Sequence, residues 1–109
     1  MYNDFFVNEN LKIEFLNFVP DPKDKNRLRG LLDKAEESSP SNSLIEVTFK
    51  KEKDIIKGNI QIFSQKTNFK EDNSDESMSS LIEKLFNALN GQLDEWKKRR
   101  FSKIDEILI

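Results

Sequence analysis

The chain has 109 residues, with 18 Lys and Arg against 20 Asp and Glu and a formal charge of −2, and a chain of that length forms one domain around a single core. It contains no Cys and no His. That excludes disulfides, thiolate zinc sites and a Cys nucleophile and removes the commonest general base and metal ligand, so no catalytic residue, metal or cofactor is assigned and the chain is read as a non-enzyme.

No apolar run approaches the roughly 18 residues of a membrane span. The opening "MYNDFFVNEN" has neither a cationic segment nor a long apolar one, so export and membrane association are not expected and a cytoplasmic protein is. Residues 1–10 read as an N-terminal extension, with Tyr2, Phe5, Phe6 and Val7 tucked against the domain. "LKIEFLNF" then alternates, Leu11, Ile13 and Phe15 on one side and Lys12 and Glu14 on the other, which is the period of a half-buried strand.

In "DPKDKNRLRGLLDKAEESSP", Asp21 suits an N-cap and Pro22 the first helical position. Leu28, Leu31, Leu32 and Ala35 share one face, so an amphipathic helix is expected, weakened by Gly30 and stopped by "SSPSNS". "LIEVTFKK" is a second strand with Ile45, Val47 and Phe49 on one face. "KEKD" turns the chain, and "IIKGNIQIFS" is a third strand with Ile56, Gly58, Ile60 and Ile62 inward. "QKT" is a short turn, and "NFK" opens a fourth strand around Phe69. Strands joined by short polar turns read as an antiparallel meander.

"EDNSDES" reads as an acidic, polar break before the last helix. From about Asp75, residues Met78, Leu81, Ile82, Leu85, Phe86, Leu89, Leu93 and Trp96 fall within an arc of about 140° at 3.6 residues per turn. That stripe is expected to lie on the sheet. The packed part should end near Trp96, leaving the cationic run at 97–103 beyond the sheet's edge, before an apolar tail at 102–109 ("SKIDEILI"). The order is β-α-β-β-β-α. It predicts a single α+β domain over residues 1–109, a four-stranded sheet with two helices packed on one face.

That order resembles the ribosome hibernation-promoting factor family, also called sigma-54 modulation or ribosomal subunit interface proteins, in its short form. The resemblance is best over residues 44–98. "LIEVTFKKEKD" looks like the family's second strand and charged turn, and "GNIQIFSQKTNFKED" like its third and fourth strands. "ESMSSLIEKLFNALNGQLDEWKK" is similar to the opening of its last helix. There Ile82–Glu83 stands at an Ile–acid pair, Leu89 at a Leu and Gln92–Leu93 at a Gln–Leu. The departures lie in the same helix. Asn87 and Ala88 stand at the family's Asp–Lys, Gly91 at its Arg, Asp94–Glu95 in its basic turn, and Ser80–Leu81 at its small-residue pair. Mid-helix cations used by family members against ribosomal RNA are therefore lost, and positive charge is displaced to residues 97–103. The resemblance implies a domain that occupies the messenger and transfer-RNA channel of the small ribosomal subunit and shuts translation down under starvation or cold, without catalysis.

Phosphate contacts need surface Lys or Arg, each adding through counterion release. Two groups qualify. Lys23, Arg27 and Lys34 fall on one flank of the first helix's apolar stripe, diluted by Asp24, Asp33, Glu36 and Glu37. The second group is Lys97, Lys98, Arg99, Arg100 and Lys103. The bland reading of the first is a solvated face, and of the second a cationic helix end complementing the dipole. The resemblance makes both groups candidate contacts to small-subunit ribosomal RNA. Lys50, Lys51, Lys53 and Lys57, beside Glu52 and Asp54, read as ordinary hairpin surface charge. Trp96 reads as core, and Phe101 as the more exposed aromatic. A second reading is a non-catalytic protein-interaction module on the same fold, with residues 104–109 contacting a second copy or another protein; packing of that tail on its own domain is the rival to this.

Overall fold

The structure is a computed structural model. It describes the chain except residues 1, 2, 9, 66 and 109, and for residues 3–8 and 100–108 it describes the backbone alone. The elements are β1 (Asn3–Asn8), β2 (Leu11–Leu16), α1 (Pro22–Ser38), β3 (Leu44–Glu52), β4 (Ile55–Phe63), β5 (Asn68–Asp75) and α2 (Met78–Leu108). From β2 onward this is the β-α-β-β-β-α order that the alternation of apolar residues predicts. Residues 3–8, read from the sequence as an extension, add a further strand at the edge of a sheet ordered β1-β2-β3-β4-β5. The expected packing of Tyr2, Phe5, Phe6 and Val7 lies outside the described residues.

β2 and β3 run parallel, and every other neighbouring pair is antiparallel. A parallel pair needs a crossover, and α1 supplies it. Asp21 caps α1, its carboxylate accepting from the Lys23 backbone N–H at 3.3 Å. Asn17 and Asn42, in the connections on either side of α1, have φ of 69° and 62°, a region that asparagine tolerates better than most residues.

The core lies between the sheet and the two helices. Ile13 and Phe15 of β2, Ile45 and Phe49 of β3, and Ile60 and Ile62 of β4 are fully buried, as are Leu28 and Leu32 of α1 and Leu81, Ile82, Leu85 and Leu89 of α2. Phe15 stacks on Phe49 with ring centroids 5.8 Å apart. Gly58 is inward, as expected. A Cβ there would sit 2.7 Å from Leu85 Cδ1 and 3.0 Å from Phe49 Cε1, so its bare backbone is what lets α2 approach β4.

Three local readings are corrected. The β3–β4 turn is only Lys53–Asp54, because Glu52 pairs with Ile55 and Lys51 and Glu52 belong to β3. The "EDNSD" stretch is no break: backbone pairing with β4 carries β5 through to Asp75. The tail is not separate either, since α2 runs on to Leu108.

Candidate nucleic-acid interface

α2 begins at a capped turn. Ser77 Oγ accepts from the Ser80 N–H at 3.3 Å, and the Leu81 N–H closes on the Ser77 carbonyl at 3.0 Å, which is an N-cap arrangement. The Ser77 N–H donates to Asp75 Oδ1 at 2.9 Å, and the Lys84 ammonium lies 2.7 Å from Asp75 Oδ2. The Lys84 contact, with the Ser77 N–H second, holds the Asp75 carboxyl below its ordinary pKa. Further along, Gln92 Nε2 donates to the Lys70 carbonyl at 3.0 Å and to Glu71 Oε1 at 2.5 Å. These contacts tie one flank of α2 to β5. The opposite flank meets α1, where Arg27 Nη1 donates to the Ser79 carbonyl at 3.2 Å and to Ser79 Oγ at 3.0 Å.

Trp96 is half-buried and packs edge-on against Phe69 at 6.2 Å between centroids, as a core residue. Phe69 is the second residue of β5, so α2 leaves the sheet at this point. Residues 97–108 continue the helix for about 18 Å at 1.5 Å per residue. Lys97 is half-buried and Lys98 and Arg99 are exposed. Arg100 and Lys103, and the aromatic Phe101, fall among the side chains that are not described.

Helical geometry relates the two cationic groups. Eighteen residues make five full turns, so Lys97 lies directly in line with Ser79 and stands on the flank that faces α1. Lys23, Arg27 and Lys34 share one flank of α1, and Arg27 shows that this flank faces α2. Lys23, Lys34 and Lys97 thus border the same side of the molecule. They do not meet in one patch: Lys97 lies about 27 Å along the α2 axis from the turn that Arg27 contacts. Arg27 has one guanidinium nitrogen, Nη1, already engaged within the chain. Among the described residues, no ion pair involves Lys23, Lys34, Lys97, Lys98 or Arg99.

The hairpin lysines are different. Glu52 lies 3.4 Å from Lys50 and 3.0 Å from Lys57, and these contacts, Lys57 first, lower its pKa. A shallow concavity of about 430 Å³ on the sheet face away from the helices is lined by Thr48, Lys50, Lys57, Asn59, Asp72 and Ser74. Within it the Asn59 amide donates to Asp72 at 2.5 Å. Among the described residues there is no group of His, Cys, Asp or Glu that could hold a metal ion, and no helix is long and apolar enough to cross a membrane.

Solved structures share this fold over most of the chain. The N-terminal domain of protein Y from Thermus thermophilus superposes with a TM-score of 0.65 at 11% identity, covering 80% of this chain and 98% of that one. The chain has the fold of the ribosomal subunit interface proteins. A ribosomal subunit interface protein from Coxiella burnetii gives a TM-score of 0.59 at 18% identity, covering 82% of this chain and 98% of that one. This is the family that residues 44–98 resemble. At these identities the kinship is one of subunit-interface fold. No family model and no curated protein matches the chain.

Proposed function

We propose that this chain is a ribosome-associated inactivation factor that works without catalysis. It binds phosphates of small-subunit ribosomal RNA through Lys23, Lys34 and the run that begins at Lys97, Lys98 and Arg99 and continues with Arg100 and Lys103. Arg27 acts there by holding α1 against α2 and offers its remaining donors. By filling the channel that messenger and transfer RNA use, it stops translation, so its place of action is the cytoplasm. One observation carries this reading: in a chain with the fold of a ribosomal subunit interface protein, Lys97, Lys98 and Arg99 follow the point where α2 leaves the sheet and, among the described residues, form no ion pair.

Affinity built on phosphate neutralisation is strongly salt-dependent. The chain is expected to co-sediment with 30S or 70S particles in sucrose gradients at low salt and to leave them as salt is raised. Absence from ribosomal fractions at low salt would rule the reading out.

A further inference from the structure

The end of α2 has a geometry that a flat anionic surface does not satisfy. Successive helical residues point about 100° apart, so residues two apart point to nearly opposite sides. Lys97 and Arg99 are such a pair. Lys97 continues the line of Ser79, on the flank toward α1. Arg99 continues the line of Leu81, which is fully buried against the sheet. Arg99 is nevertheless exposed, because the sheet no longer lies beneath the helix once Trp96 has passed Phe69. Lys98 is exposed on a third side. One phosphate strand, or the flank of a regular duplex, reaches one side of such a rod. Engaging Lys97 and Arg99 together takes phosphates on both sides, separated widely enough to admit a helix about 10–12 Å across.

We infer that the cationic end of α2 lies between two phosphate strands of a folded RNA, in a groove opened by unpaired nucleotides. A regular A-form major groove is too narrow to admit protein side chains, so an interruption such as a bulge is part of what is recognised. The inference rests on the RNA-binding reading above and adds to it the shape of the ligand.

The test is fluorescence anisotropy of the full chain with three labelled RNAs of equal length: a regular duplex, the same duplex with a central bulge, and a single strand. The bulged duplex is expected to bind at least about tenfold tighter than the other two. Lys97→Gln and Arg99→Gln should each reduce the slope of log affinity against log salt by about 1 on that RNA. Lys70→Gln, on β5 beside Asp72, should leave the slope unchanged. Equal affinity for the bulged and regular duplexes, or a slope loss from only one of the two α2 variants, overturns the two-sided contact. If the chain still sediments with 30S particles in that case, the ribosomal reading stands while the inference falls. If it binds neither the RNAs nor the particles, both fall.

Discussion

Gly58 and Gly91 show one residue type in opposite surroundings. Gly91 sits in the interior of α2 with nothing within 4 Å of where a Cβ would stand. It therefore serves no close packing, and it costs helix stability as glycine does in any exposed helical position. At Gly58 the space is already filled by two fully buried side chains, Leu85 and Phe49. Gly91→Ala should raise stability by about 0.5–1 kcal/mol, whereas Gly58→Ala should lower it by about 1–2 kcal/mol through overpacking. Urea unfolding midpoints at unchanged m-value would check both. Arg27 makes a related point about polar residues. Its charge and flank mark it as a phosphate contact in the sequence, yet its guanidinium spans 52 positions to reach Ser79. No local pattern exposes such a partner.

α2 is the element on which everything else depends, and its attachments differ in kind. Its apolar stripe supplies the burial, Gln92 ties it to β5 by hydrogen bonds, and Lys84 ties it to Asp75 by charge. The last of these is pH-dependent. A carboxyl whose pKa is lowered on folding contributes stability that is full above its unfolded-state value and fades as pH falls through the folded-state value. The Asp75 contribution should therefore be present at neutral pH and fade as pH falls below the ordinary aspartate range. In Lys84→Gln most of that dependence should vanish, so the stability gap between wild type and variant should close on acidification; a gap constant with pH would assign Lys84 a packing role instead.

The stripe from Met78 to Trp96, the cap at Asp21 and the inward faces of β2, β3 and β4 were all legible, because burial imprints a period on the sequence. The full extent of β5 was not. Glu71–Asp75 lies on an edge strand held by backbone pairing to β4, and such a segment carries no apolar alternation to betray it. β1 was obscure for a related reason, since "DFFV" has apolar residues side by side and no strand period. The candidate cations were legible as a group, but their separation along α2 depends on how the two helices are set against each other.

At the scale of the molecule, the two cationic groups share one side, with Lys97 about 27 Å along α2 from the turn that Arg27 contacts, and nothing described links their side chains. Effects at sites so far apart usually add within about 0.3–0.5 kcal/mol. The affinity lost by joining Lys23→Gln and Lys34→Gln to Lys97→Gln and Lys98→Gln should therefore equal the sum of the two doubles' losses, on the free-energy scale, in titrations against 30S particles at fixed salt. A combined loss well below that sum would mean that removing either group already releases the other from the ligand, and one well above it that the two groups serve alternative poses. The topology has a separate consequence for how the molecule comes to exist. β3, β4 and β5 are consecutive and antiparallel, so they can zip up as nearest neighbours, but β2 waits for β3 to arrive by way of the whole α1 crossover. Pairings that close long stretches of chain form slowly. The β2–β3 seam is therefore expected to form more slowly than the β3–β4 hairpin, whose strands are joined by two residues.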